Sequence, residues 1–356
     1  MVVTLHAVVA GWLLGPPSGA NRRLLALLTH TGTQLHPGER ITVLHRRDFT
    51  PPPRRGIAWL PIDIPAGPSW TRARAEQRLL PDCLRELAAT VYDHGFLPLP
   101  RVPVPTCLLV HDLRAVDGFS RWPRWLARAV LRRSCERADA IVAPSHWTAG
   151  RLRLLVPAAP IAVVVKNGVE SVATGGAPLQ MPLPANGYLL HVGHIEPRKG
   201  LRLVVQAVAQ LPTAQRPELW LAGRDAGALR SLQQTANALQ VRLHVLGVVD
   251  ELTLAGLYRQ ARAVVMPSLH EGFGLPALEG LAHRRPVLVC NTTALPEVVG
   301  TLGVTLPPHD PERWALAIAA TTTHVVDEAA CRQHLATMQW PDAAAELLAT
   351  WRRLSR

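Results

Sequence analysis

Three short stretches of this chain carry residue types whose spacing suits chemistry. The first is Gly193-His194-Ile195-Glu196-Pro197-Arg198-Lys199-Gly200, which sets two adjacent cations between an apolar run and a stretch of helical periodicity. A strand-to-helix turn of this kind ends a parallel strand where ligands bind, and the helix start offers free N–H groups and a positive dipole end to an anion. Arg198 and Lys199 there suit a pyrophosphate, whose negative charge grows as it leaves a sugar. A surface turn with solvated basic residues is the plainer alternative. No Walker A sequence or complete GxGxxG occurs, which disfavours an ordinary P-loop or dinucleotide fold.

The second stretch is Glu271-Gly272-Phe273-Gly274-Leu275-Pro276-Ala277-Leu278-Glu279. Gly272 and Gly274 let the backbone approach a ligand, Pro276 is expected at the first helical position and Glu279 in the opening turn. Both carboxylates would then converge on one crevice. Carboxylates pair with the vicinal hydroxyls of sugars, so Glu271 on a hexose and Glu279 on a ribose is a sensible division; helix capping is the alternative. The third stretch is His111-Asp112, after the run Val104 to Val110, where the imidazole can donate to a hydroxyl or phosphate and Asp112 can orient it. An isolated pair of this type also serves structure alone. The loop Gly15 to Asn21, with Ser18, Gly19 and Ala20, has side chains small enough to leave room for an acceptor.

Short apolar runs position these residues. They read as buried strands over Thr4–Val9, Val104–Val110, Ala138–Val142, Ile161–Val165, Tyr188–Val192, Glu218–Ala222, Val241–Leu246, Ala263–Met266 and Pro286–Cys290. Helical periodicity separates most of them, as in Leu201, Val204, Val208 and Leu211. Alternating strands and helices predict parallel sheets covered on both faces. The stretch 171–186, rich in Gly, Pro and small residues, reads as a linker between domains 1–170 and 187–340. Residues 341–356 form a terminal helix, Asp342 to Leu354, expected to pack back on the first domain.

The 356 residues are 48% hydrophobic and 18% charged, which fits two well-buried domains rather than disorder. Five scattered cysteines make no CxxC pair, so neither a zinc site nor a disulfide framework is indicated. The apolar N-terminus lacks a basic leader and meets Gly15-Pro16-Pro17 too early for a membrane span, so a cytoplasmic protein is expected. Net charge is +12 and uneven: residues 1–170 hold 22 basic and 12 acidic side chains, the remainder 16 and 14. Lys166 and Lys199 are the only lysines. A basic first half attracts phosphates of a lipid acceptor, an anionic membrane or nucleic acid, unless an arginine bias merely decorates a solvated surface.

Residues 187–300 resemble the donor domain of the retaining glycosyltransferases of family 4. EGFGLPALE carries that family's spacing of two glutamates, and VGHIEPRKG, LAGRDAG and ALPEVVG follow in family order. HDLRAVDGFS, RADAIVAPSHWTAGRL and KNGVE are similar to the end of the acceptor domain, whereas residues 21–100 match loosely. The resemblance implies a GT-B fold: two Rossmann-like doubly wound α/β domains facing each other across a cleft. It puts the phosphate-binding cation on Lys199 with Arg198 beside it, Glu271 on the transferred sugar and Glu279 on the ribose. It also puts the backbone of Gly272, Phe273, Gly274 and Leu275 near sugar and diphosphate, and His111 in the sugar pocket. Many members have Arg where His194 stands, and Gly280 to Pro286 departs from the usual small-residue pattern.

The implied reaction moves a hexose, mannose in the branch most similar, from a nucleoside diphosphate to a saccharide or polyprenyl-linked acceptor, with retention and with neither cofactor nor metal. No Asp-x-Asp motif is present. The basic stripe Arg121, Arg124, Arg128 and Arg132 with Trp122 and Trp125 either rests on anionic lipid or is a solvated helix face with its tryptophans in the core. Rival readings are a degenerate, non-catalytic member, a sugar-nucleotide epimerase or phosphorylase of the same fold, and a nucleic-acid-binding protein. The glutamate spacing opposes the epimerase and phosphorylase, and the scarcity of aromatics opposes nucleic acid.

Overall fold

The short apolar runs become strands of two parallel sheets in the computed structural model, which describes all residues except 1–3, 13, 16–17, 66–68, 121, 171–180 and 323–325. One sheet lies in each of two units, residues 1–168 with 340–356 and residues 169–339. Most of the linker expected over 171–186, together with Pro16, Pro17 and Arg121, lies outside the described residues.

The first unit runs β1 (His6–Ala10), α1 (Gly19–Thr33), β2 (Arg40–Arg46), β3 (Ile57–Ile62), α2 (Ser69–Glu86), β4 (Val91–His94), β5 (Thr106–Leu109), α3 (Arg124–Arg137), β6 (Ala140–Ala143), α4 (His146–Leu155) and β7 (Val163–Val164). Its sheet order among the described residues is β3-β2-β1-β4-β5-β6-β7, with β1 between β2 and β4. Every residue of β1 is buried, the signature of a strand covered on both faces. Three strands here were not anticipated. β4 reads VYDH and buries Asp93 and His94, so its core character is hidden behind titratable side chains. β3 contains Pro61, tolerated because β3 is an edge. β2 hides its Ile41, Val43 and Leu44 between arginines.

The second unit runs β8 (Tyr188–Val192), α5 (Leu201–Ala209), β9 (Glu218–Ala222), α6 (Leu229–Ala238), β10 (Leu243–Gly247), α7 (Glu251–Gln260), β11 (Ala263–Met266), α8 (Leu275–Ala282), β12 (Val287–Cys290), α9 (Leu295–Val299), β13 (Val304–Leu306), α10 (Pro311–Ala320) and α11 (Glu328–Leu335). Sheet order is β10-β9-β8-β11-β12-β13, and the short edge strand β13 was also not anticipated. Strand order reverses between β8 and β11, and the crevice outside their carboxyl ends is the place an open α/β sheet gives to ligands. Side-chain caps start several helices: Asp250 accepts from Thr253 N in α7, and Asp310 from Arg313 N in α10.

The chain ends in α12 (Trp340–Leu354), two residues longer at its start than the pattern suggests, and it belongs to the first unit. Ala344, Leu347, Leu348 and Trp351 are buried at helical spacing; Trp351 donates to Asp93 Oδ2 at 2.8 Å and Arg352 clamps Glu39 at 2.7 and 2.8 Å. Buried Arg23 of α1 donates to Asn167 and, at 2.8 Å, to Val165 O, beside a cavity of about 20 Å³ lined in part by Asp93 and Trp351. Among the described residues no helix is long and apolar enough to cross a membrane.

Candidate active site

The turns that leave β8 and β11 are stitched to each other. Pro197–Lys199 form one 3₁₀ turn, and Gly200 follows at φ 64°. A Cβ on Gly200 would stand 2.2 Å from Pro267 O, so only glycine lets the two backbones meet. Leu269 N donates to Arg198 O at 2.8 Å, while Glu271 N donates to Thr293 Oγ1 at 3.0 Å and Thr292 Oγ1 to Ser268 O at 2.8 Å. The loop after β12 therefore braces the one that carries Glu271.

This stitching brings both cations onto one carboxylate. Lys199 Nζ donates to Glu271 Oε1 at 2.6 Å, and Arg198 Nη1 lies 3.4 Å from Glu271 Oε2 while donating to His270 O at 2.7 Å. Glu196 holds the other end of Arg198, with Oε1 2.7 Å from Nη2. Burial alone would raise the Glu271 carboxyl, but the charges of Lys199 and Arg198 and the Lys199 hydrogen bond outweigh it and hold the group at about 2. Buried His191 is driven down to about 4, chiefly by burial and then by Lys199, so a neutral imidazole lies behind the cluster.

Glu279 has a different partner. It lies in the second turn of α8 rather than the first, because the helix begins at Leu275 with Gly274 as its cap, and Pro276 is its second residue. Tyr258 Oη donates to Glu279 Oε2 at 2.6 Å, and the His283 ring stacks on Tyr258 at 5.2 Å and 9°. No side chain caps the start of α8, where Phe273 and Leu275 are buried. Within the Gly280 to Pro286 segment, His283 ends the helix and Arg284, at φ 57°, reaches Glu328 at 2.6 Å.

In the first unit, His111 follows β5 with its ring 6.4 Å from that of Phe96, and burial pushes it down to about 4. Asp112 does not orient it as expected; its Oδ1 accepts from Arg114 N at 3.1 Å, the local turn being the nearer donor. Of the three small residues expected in the loop, Ser18 ends it, its Oγ accepting from Asn21 N at 3.2 Å to cap α1, while Gly19 and Ala20 lie in the first turn of that helix. On α3 the buried face is Ala127, Leu131, Ser134 and Cys135, so Trp125 is 70% and Trp122, just before the helix, 41% exposed; neither is in the core. Sequence reasoning missed His191, Tyr258 and Thr293, since a buried strand, a helix and a loop gave no motif to mark them.

Comparison with known proteins bears on the family and the fold. The family described as Glycosyltransferase Family 4 matches residues 2–171, and the one described as Glycosyl transferases group 1 matches residues 186–324. The O-antigen chain mannosyltransferase B of Escherichia coli is 41% identical over 128 residues, covering 35% of this chain and 34% of that protein. A D-inositol 3-phosphate glycosyltransferase of Jonesia denitrificans is 32% identical over 298 residues, covering 73% of this chain and 68% of that protein. The chain thus spans about a third of the first relative and about two thirds of the second. Sucrose-phosphate synthase from Thermosynechococcus elongatus superposes with a TM-score of 0.77 at 16% identity, covering 98% of this chain and 99% of that one, which fixes the fold as GT-B. The chain therefore belongs to glycosyltransferase family 4, in a mannosyltransferase-like group.

Proposed function

We propose that this protein is a retaining, metal-independent hexosyltransferase that moves mannose from GDP-mannose to a saccharide or lipid-linked saccharide in polysaccharide or lipopolysaccharide synthesis. The observation that carries the reading is the ion-paired Lys199–Glu271 contact with Arg198, at the carboxyl ends of β8 and β11. Cations fixed there stabilise a departing diphosphate in an oxocarbenium-like transition state, and rigid placement means little reorganisation during bond breaking. Lys199 and Arg198 take the role a metal would otherwise fill. Glu271 then takes the hexose and Glu279, steadied by Tyr258, the ribose. The O-antigen mannosyltransferase relative favours mannose over other hexoses.

A lipid-linked acceptor is favoured by the exposed Trp122 and Trp125 beside Arg124, Arg128 and Arg132, which suit the anionic cytoplasmic face of a membrane. A metal-free thermal-shift screen of GDP-mannose, UDP-glucose, UDP-N-acetylglucosamine and UDP-galactose tests the donor. GDP-mannose is expected to give the largest stabilisation; a larger response to a UDP-sugar overturns the choice of base, and no response to any overturns the reading.

A further inference from the structure

Beside the Lys199 cluster, the turn that leaves β9 presses against the turn that leaves β8. A Cβ on Gly223, at φ 154°, would stand 2.0 Å from Gly193 O, and one on Gly193 would stand 3.6 Å from Lys199 Nζ. Ile195 N donates to Arg224 O at 2.9 Å, and Ile195 and Asp225 form a parallel bridge. Arg224 is therefore fixed to the phosphate-facing turn by backbone, not only by its side chain. That side chain is exposed and donates from Nε to His194 Nε2 at 3.1 Å. The His194 imidazole must be neutral to accept, and burial together with the charge of Arg224 lowers its proton affinity.

The charges around this point are unequal in one respect. Lys199 is already answered by Glu271, and Arg198 by Glu196 and Glu271. Among the described residues Arg224 has no carboxylate partner, because Asp225 beside it is committed to the start of α6, accepting from Gly227, Ala228 and Leu229 N at 2.9 to 3.1 Å. A diphosphate brings more than one negative charge, and a cluster balanced by its own acids leaves that charge unanswered. From this we infer that Arg224 is a phosphate-binding residue of the donor site and that His194 is its positioning residue, a pairing that rests on the function proposed above. The planar guanidinium uses Nε on His194 and keeps both terminal nitrogens for phosphate oxygens, the fork geometry that suits Arg and not Lys. His194 then supplies no charge of its own; it aims one.

Calorimetric titration of GDP and UDP, over a range of KCl concentrations, into the full chain and into Arg224→Gln, Arg224→Lys, His194→Ala and His194→Gln tests this. Arg224→Gln is expected to weaken the preferred diphosphate by about tenfold or more, the loss of a charge-assisted pair, and to flatten the salt dependence. Arg224→Lys restores the salt dependence with part of the affinity. His194→Ala weakens binding by about threefold, and His194→Gln, whose amide oxygen still accepts, recovers it. Binding by Arg224→Gln within about twofold of wild type, with an unchanged salt dependence, overturns the inference and leaves the proposed function standing. Failure of the wild-type chain to bind either diphosphate overturns both.

Discussion

Lys199 Nζ and Glu271 Oε1 lie 2.6 Å apart although 72 positions separate the residues, and the pair is largely shielded from water. Such a contact is costly to break from one side, because the remaining charge stays buried without its partner. The pair is thus both a structural clasp between two loops and part of the candidate donor site.

Its linkage to pH has a definite sign. With the Glu271 carboxyl held at about 2 in the folded chain and near an ordinary 4.5 when unfolded, the stabilisation is complete above about pH 5 and lost as pH falls toward 2. Urea unfolding of wild type and Glu271→Gln should show wild type ahead by about 3 kcal/mol at pH 7, with the gap closing below about pH 4. A gap that does not change with pH rules out the ionised pair.

Tyr258→Phe removes the hydroxyl that holds Glu279 while keeping the ring stacked on His283. Affinity for a nucleoside diphosphate should fall by about three- to tenfold, the worth of one hydrogen bond to a carboxylate, with the thermal midpoint little changed. Calorimetric titration checks it, and unaltered affinity separates Tyr258 from the ribose contact.

Asp93 behaves in the opposite sense to Glu271. Burial raises its carboxyl to about 6, against hydrogen bonds from Trp351 and Cys107 and the charge of Arg23, so the folded chain keeps a proton that the unfolded chain releases near pH 4. Wild type should lose about 3 kcal/mol relative to Asp93→Asn between pH 4 and 6 and then run parallel to it. Chemical unfolding curves at half-unit pH steps measure this; a constant difference contradicts the raised carboxyl.

The basic face of α3 gives a fourth expectation. Wild type should float with liposomes containing anionic lipid, less so at high salt, and Trp125→Ser with Arg128→Ser should abolish the effect. Flotation that ignores lipid charge removes the membrane reading.

Much of this was legible in sequence where local pattern and motif coincide. Ala263–Met266 is a uniform apolar run and Tyr188–Val192 is apolar but for His191, and the turns after them carry their own cations, glycines and acids, so strand and turn were read together. What stayed hidden depends on distant partners. β4 looks polar because Asp93 and His94 find Trp351 and Tyr92 only in the folded chain. Tyr258 became a candidate only when α7 met α8, and Arg224 only when the turn after β9 met His194. The placing of Gly19 and Ala20 in a loop and of Glu279 in a first turn erred by helix boundaries, which capping geometry fixes and periodicity does not.

The most direct measurement is the rate of GDP release from GDP-mannose, without added metal, by wild type and Lys199→Ala. The account predicts turnover by wild type that falls about a hundredfold or more in the variant, on the scale of losing one preorganised oxyanion donor. Equal turnover by the two proteins would contradict the role given to Lys199.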